Sequence, residues 1–484
     1  MAKADKIVIA ELSEVGNSGA DLMEEAGLSV VREITGLIDG RKALILCGPG
    51  NNGGDGFVIA RHLKQSGWKT QVALLGSLEK LKGDAKVMTE KWSGDVVALT
   101  ADLIGDQDII VDAIFGTGLS KEIDGEVAEV IKAVNRSKAF KIAVDIPSGI
   151  KGDTGEVLGE AVKTNKTVTF CRKKPAHLLF PGKAHCGEIV LTDIGISDRV
   201  VDQVSPDIFE NNPTLWKSVF PIMEDNGHKY HRGHAVVVSG GMINTGAARL
   251  AAMAALRIGA GLVSVSSPDD ALCINAKHLT AIMIKKRSEL TQDLKDDRLN
   301  AWCIGPAAGL IGSTRKDTLE IIKIGKYAVL DADALTIFEE GPLELFQTIN
   351  KAGIDKVVLT PHAGEFSKLF PYLKHLDKLS AAISAAKLAG AVVIYKGSDT
   401  VIASPDGRAA ISNNAPPSLA TAGSGDVLAG MITGLLAQNM PTFEASCAAV
   451  WLHGECANRY GIGLISEDLE KEIPKILNLL FFKQ

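Results

Sequence analysis

Short apolar runs that end in glycine or proline, each followed by a helical pattern, recur along this chain. That alternation is the signature of a parallel sheet with helical crossovers. RKALILCGPG (41–50) is the first, followed by Phe57, Ile59, Ala60 and Leu63 at helical spacing. KTQVALLG (69–76), DIIVDAIFG (108–116) and KIAVDIPSG (141–149) repeat the theme. Strands buried on both faces read as continuous apolar runs of this kind. Ligands of such sheets sit beyond the carboxyl ends of the strands. Three polar clusters, 51–55, 112–118 and 145–149, fall at or just past strand ends, so one pocket is expected to collect them.

The regularity breaks between about 198 and 230, with SDRVVDQVSPDIFENNPTLW and MEDNGHKYHRG. A domain boundary near 215 is expected, giving domains 1–215 and 216–484. A second series then begins with HAVVVSGG (234–241), GLVSVSS (261–267), AWCIGPAAG (301–309), YAVLDADAL (327–335) and KVVLTPHAGEF (356–366). AVVIYKGSDTVIASPDG (391–407) reads as two strands, and Asp406-Gly407 is a turn signal. A long helix is expected after Gly425. The halves share a strategy but no sequence period.

Composition narrows the function classes. Fifty-two Lys and Arg against 58 Asp and Glu leave a net charge of −6. A nucleic-acid binder normally carries a basic excess instead. Seven cysteines stand apart with no C-x-x-C pair, which fits free thiols in a reducing, cytoplasmic setting. The opening MAKADKIVIAELSEVG has too short an apolar run for a signal peptide. The most apolar long segment, 247–265, contains Arg249 and Arg257 and is expected to be a buried helix followed by a strand, not a membrane span.

GPGNNGGDG (48–56) follows a strand and opens a helix, where backbone N–H groups favour an anion. It lacks the register of a dinucleotide fingerprint and the Lys-Ser/Thr of a Walker loop. Asp112 and the VDIPSG turn, with oxygen donors from Asn, Asp, Ser and carbonyls, suit a hard cation or, equally, helix capping. Asp145 is a candidate acid or base. In the second half, ATAGSGD (420–426) puts small residues at a helix start, with Asp426 placed to take a proton from a substrate hydroxyl near a bound phosphate. His362 in TPHAGEF is a candidate substrate contact. Asp331 and Asp333 either orient a metal–phosphate complex or cap the next helix. HKYHRGH (228–234) invites a zinc reading, but no cysteine is near, and zinc is not favoured.

GPGNNGGDG, FGTGL, VDIPSG, LTPHAGEF, YKGSDT and ATAGSGDVLAG in this order resemble the bifunctional NAD(P)H-hydrate repair family, over nearly the whole chain. The resemblance implies a Rossmann-like three-layer epimerase domain and a ribokinase-like α/β dehydratase domain. The first would interconvert the R and S hydrates of reduced nicotinamide cofactors; the second would restore the S form using ADP, giving AMP and phosphate. Carried over, Asn51, Asn52, Gly53, Gly54 and Asp55 would hold the hydrate in the epimerase, with Gly116, Thr117, Gly118, Leu119, Ser120 and Lys121 over the nicotinamide and Asp145 near the reacting carbon. Lys121 and Asp145 are the acid–base candidates. Asn52, Asp112 and Ser148 would bind potassium. In the dehydratase, Gly309, His362 and Asp426 would line the hydrate pocket, and Lys396, Gly397, Ser398, Asp399, Thr400 and Gly425 would bind ADP. Asp426 would be the base, with magnesium offsetting phosphate charge. Ala415-Pro416-Pro417-Ser418 and Ala422 depart from the family pattern beside the nucleotide loop. Small-molecule substrates, no nucleic acid, no membrane and a homo-oligomer are expected. The rival readings are an ATP-dependent kinase for a small alcohol and a non-enzymatic first domain that binds a ligand or partner.

Overall fold

The computed structural model describes residues 7, 19–37, 40–222, 228–353 and 355–482. Apart from Ile7, the opening segment read against a signal peptide lies outside the described residues. The chain divides into two compact units, 1–206 and 207–484.

The first unit is built on seven strands: β1 (Lys42–Cys47), β2 (Lys69–Leu74), β3 (Val96–Ala98), β4 (Ile109–Ala113), β5 (Phe140–Val144), β6 (Lys166–Phe170) and β7 (Glu188–Thr192). Their order is β3-β2-β1-β4-β5-β6-β7, and every pair is parallel. Side chains alternate across a strand, and β1 supplies a core to each face. Ile45 and Cys47 pack with Phe57, Val58 and Ile59 of the helix Asn51–Gln65 and with the helix Gly19–Leu37. Leu44 and Leu46 pack on the other face with Val130, Ile131 and Val134 of the helix Gly125–Arg136. This is a Rossmann-like three-layer arrangement. Chain order reverses direction between β1 and β4, so the loops after these two strands flank the crevice where α/β sheets bind ligands.

The second unit carries ten strands in the order β11-β10-β9-β12-β13-β14-β15-β16-β17-β8. They are β8 (Ile208–Glu210), β9 (His234–Val238), β10 (Leu262–Ser267), β11 (Met283–Lys286), β12 (Ala301–Ile304), β13 (Tyr327–Leu330), β14 (Val357–Leu359), β15 (Val392–Tyr395), β16 (Thr400–Ala403) and β17 (Ala409–Ser412). The run from β11 to β15 is parallel; β16 turns back antiparallel to both β15 and β17. Asp406-Gly407 lies in the β16–β17 turn, and β17 is a third strand beyond the two expected there. One face of the sheet is covered by the helices Thr245–Arg257, Ser424–Ala437, Thr442–Tyr460 and Ser466–Phe481, which share the largest core with Val237, Val263 and Val265.

The division at Pro206, rather than near 215, has a physical cause. β8 pairs with β17, and Asn211 Nδ2 donates to the Cys447 carbonyl, so the segment before 215 belongs to the second core. The segment 247–265 is a helix running into β10, as expected. No described helix is long and apolar enough to cross a membrane.

Candidate active sites

In the first unit a cavity of about 820 Å³ opens at the carboxyl ends of β1, β4 and β5. Asn51, Asn52 and Asp55 line it from the first polar cluster, the loop 114–121 from the second, and Asp145 from the third. Gly53 and Gly54 do not line it. A Cβ at Gly53 would stand 1.9 Å from the Gly48 carbonyl oxygen, and one at Gly54 2.5 Å from Met23 Sδ. These glycines therefore allow close backbone packing beneath the loop.

Asp145 lies just past β5 in a left-handed conformation, φ 67°. Its Oδ1 accepts from Lys174 Nζ at 2.5 Å and from Thr169 Oγ1 at 2.9 Å. Lys174 Nζ also donates to Thr169 Oγ1. Burial pushes Asp145 up, but the Lys174 charge and hydrogen bond, helped by Thr169, hold its carboxyl below the ordinary range. His177 accepts at Nδ1 from the Lys174 backbone N–H, which leaves Nε2 to donate to the Asp145 carbonyl at 2.9 Å. Burial and the neighbouring Lys174 push this imidazole down to about 4, so it is neutral near pH 7. Asp55 is the opposite case: burial, reinforced by the Asp145 charge, pushes it well above the carboxylate range. Lys174, Thr169 and His177 escaped the sequence reading. The available signal was the paired lysines of CRKKPAH, which follow β6.

Asp112 and Ser148 lie below the cavity wall and are fully buried. Ser148 donates to Asp112 through its backbone N–H at 2.7 Å and its hydroxyl at 2.5 Å. Burial pushes Asp112 up to about 6 against these hydrogen bonds. Asn52 Nδ2 is buried with no partner, and a Cβ at Gly116 would be 3.4 Å from Asn52 Oδ1. Lys121 lines the cavity.

In the second unit the helix Ser424–Ala437 begins after Gly423, whose φ of 87° suits glycine and whose Cβ would collide with Leu250 Cδ1 at 2.7 Å. Its first-turn N–H groups have no partner in the helical ladder. Asp426 sits in that turn. Burial, with the Asp331 charge, raises it to about 6, while Lys396 pulls it down. Asp331, just past β13, accepts from Lys396 Nζ at 2.8 Å and Thr360 Oγ1 at 2.6 Å. A Cβ at Gly425 would be 3.6 Å from Lys396 Nζ and 3.8 Å from Asp331 Oδ2. Asp331, Lys396, Gly425 and Asp426 thus form one cluster, with Asp331 serving the charge network and not a helix cap.

Asp333 opens the short helix Asp333–Thr336 and accepts from the Gly309 N–H at 2.8 Å. That bond fixes the loop after β12. His362 caps the helix Ala363–Leu369: Nδ1 accepts from the Gly364 and Glu365 N–H groups, and Nε2 stays toward solvent and Glu365. In the loop 396–400, Thr400 Oγ1 donates to the Gly397 carbonyl and Asp399 pairs with Lys378 at 2.5 Å. Of the HKYHRGH histidines, His234 is a buried strand residue bonded to Ser264 Oγ. Among the described residues no three His, Cys, Asp or Glu side chains converge as a metal cluster.

Each unit matches a different family model. A family model described as NAD(P)H-hydrate dehydratase matches residues 235–475, and one described as YjeF-related protein N-terminus matches 19–176. The chain is similar to the bifunctional NAD(P)H-hydrate repair enzyme of Moorella thermoacetica, 36% identical over 494 residues, covering 95% of this chain and 92% of that one. The corresponding enzyme of Thermofilum pendens is 34% identical, with the same coverages of 95% and 92%. Among solved structures, a ribokinase-like superfamily protein from Enterococcus faecalis superposes with a TM-score of 0.51 at 23% identity, over 56% of this chain and 96% of that one. That likeness bears on the fold of the second unit.

Proposed function

Since this chain belongs to the bifunctional NAD(P)H-hydrate repair enzymes, we propose that its two sites divide the work in the order of the chain. The first unit interconverts the R and S hydrates, and the second dehydrates the S form at the expense of ADP. The observation that carries the reading is the joint presence of an Asp145-centred cavity and an Asp426-centred helix start in one chain.

In the dehydratase, Asp426 is raised to about 6 and is therefore mostly ionised at pH 7 yet still a competent base. It removes the proton of the hydrate hydroxyl as phosphate arrives from ADP. Phosphorylation turns a poor leaving group into a good one, and loss of phosphate restores the double bond. Lys396 and the helix start at Gly425 hold the nucleotide phosphates, and the loop Gly397, Ser398, Asp399 and Thr400 holds the rest of ADP. Asp399 acts there through its pairing with Lys378. Gly309 and His362 line the hydrate pocket. Magnesium typically takes one or two carboxylates together with phosphate oxygens. Asp331, beside Asp426, fits that pattern, and the ion would neutralise phosphate charge.

In the epimerase, Asn51, Asn52 and Asp55 face the hydrate, the loop Gly116 to Lys121 covers its nicotinamide, and Asp145 stands at the reacting carbon. Potassium fits the residues below. The unpartnered amide of Asn52, rotated by half a turn, offers its oxygen; Asp112 adds a carboxylate and Ser148 a hydroxyl. A cation there would hold Asp112 ionised and stiffen the loop above. The enzyme would act in the cytoplasm as a homo-oligomer.

The test is a mixture of R and S NADH hydrates with full-length protein, ADP, magnesium and potassium, following the return of reduced-nicotinamide absorbance. Recovery of both epimers with AMP formed in step is the expected result. Recovery that stops at the S fraction would remove the epimerase assignment. A stable phosphorylated product made from ATP would replace the dehydratase by a kinase.

A further inference from the structure

The epimerase cavity contains two carboxyl groups in unlike surroundings. Asp55 comes from the helix after β1 and Asp145 from the end of β5, and β4 lies between those strands, so the two reach the cavity from either side of it. Asp145 is held by Lys174 Nζ and Thr169 Oγ1. Among the described residues no cation or hydrogen-bond donor pairs with the Asp55 carboxyl, and it is partly exposed to the cavity.

Hydrating the enamine double bond of a dihydronicotinamide puts the hydroxyl on the carbon next to the ring nitrogen. The configuration of that carbon separates R from S. Inverting it needs a proton for the departing oxygen and an acceptor for the proton of the arriving one. We propose that Asp55 and Asp145 are that donor and acceptor, acting from opposite sides of the bound hydrate; the assignment rests on the epimerase reading above.

Asp55 gives its proton to the substrate hydroxyl. The C–O bond breaks with its electron pair going to oxygen, water leaves, and the nitrogen lone pair becomes the second bond of C=N. A water molecule attacks the other face, its oxygen forms the new C–O bond, and the C=N pair returns to nitrogen. Asp145 takes the surplus proton. One water leaves and one enters, with no redox change. The proton then passes through solvent back to Asp55. The contrast in proton affinity drives that return: burial and the Asp145 charge keep Asp55 protonated, while Lys174 keeps Asp145 ionised. The groups that face this pair are Lys174 and the neutral His177 on the Asp145 side and the buried Cys47 thiol on the Asp55 side. Lys121, Asp84 and Asp124 also line the cavity.

The experiment uses the full-length protein and purified R hydrate without ADP, in ¹⁸O-labelled water, with the epimers separated by chromatography. Each inverted S molecule should carry one solvent oxygen above an enzyme-free control. Asp55→Asn and Asp145→Asn should each lower the epimerisation rate by roughly 10²–10⁴. Dehydration of S hydrate with ADP checks that each variant chain is intact. Lys174→Met should move the acidic limb of the kcat profile to higher pH, because Asp145 loses the charge that holds it ionised. Retention of the original oxygen, or Asp55→Asn within fivefold of wild type, would overturn the proposal. So would an acidic limb that stays in place in Lys174→Met. A wild-type chain that leaves R hydrate unchanged overturns the epimerase reading, and this proposal with it.

Discussion

Lys396 Nζ lies 2.8 Å from Asp331 Oδ1, although the two residues are 65 positions apart and follow different strands. The pair acts on a third residue with opposite signs: the Asp331 charge raises Asp426 and the Lys396 charge lowers it. If ionised Asp426 is the base, kcat of the dehydratase falls as pH drops through about 6. Asp331→Asn should shift that limb to lower pH and Lys396→Met to higher pH, each by about one unit. A kcat profile at saturating ADP checks both, and equal directions of shift would contradict the arrangement.

Asp426 also sets a stability cost. Its folded-state pKa of about 6 stands above the ordinary 3.8, so the folded state binds the proton more tightly than the unfolded one. The cost is full above pH 6, shrinks as pH falls from 6 to 3.8, and is gone below that. Asp426→Asn should therefore stabilise the second unit at pH 7.5 by on the order of 1–3 kcal/mol, after allowance for partial exposure. The gain should disappear near pH 3.5, while dehydratase activity is lost throughout. Thermal unfolding of the full chain at the two pH values measures this.

Ser148 joins two buried partners: its hydroxyl donates to Asp112 Oδ1 and accepts from the Phe115 N–H at 2.9 Å. Ser148→Ala removes the hydroxyl bond to Asp112, which keeps the backbone N–H of residue 148, and takes the acceptor from the Phe115 N–H; it should cost about 1–3 kcal/mol in denaturant unfolding. The potassium concentration for half-maximal epimerisation should rise roughly tenfold or more. A potassium titration with unchanged midpoint would remove Ser148 from the cation site.

The glycines of GPGNNGGDG should not respond alike. Gly53→Ala meets the Gly48 carbonyl at 1.9 Å and should destabilise the first unit by about 3 kcal/mol or more. Gly50→Ala meets nothing within 4 Å and should change stability by less than about 0.5 kcal/mol. Urea unfolding of the two variants separates packing from ligand contact in this loop.

The strands legible in the sequence were those with apolar residues buried on both faces, such as β1, β4 and β9, where Asp112 of β4 is the one acidic residue inside the run. β6 was missed because it is KTVTF: Lys166 is neutralised by Glu33 at 2.8 Å and Thr167 by the Cys186 carbonyl, so polar residues are buried with partners that no local pattern reveals. With β6 unseen, Lys174 just beyond it went unseen as well. The motif residues themselves were legible because most lie at or past a strand end and ATAGSGD opens a helix. The roles within a motif were not: Gly53 and Gly54 pack, His362 caps a helix, and Asp331 finds its lysine two strands away, which only the assembled sheet shows.

The pairing of β8 with β17 has a practical consequence for dissecting the protein. A fragment starting at 216 would strip a strand from the end of the sheet, leaving the N–H and C=O groups of Ala409–Ser412 open to another chain. It would also lose Asn211, which ties that edge to the helix Thr442–Tyr460 through the Cys447 carbonyl. Cutting at 206 keeps the edge covered, so solubility of the severed half would turn on nine residues that look like linker.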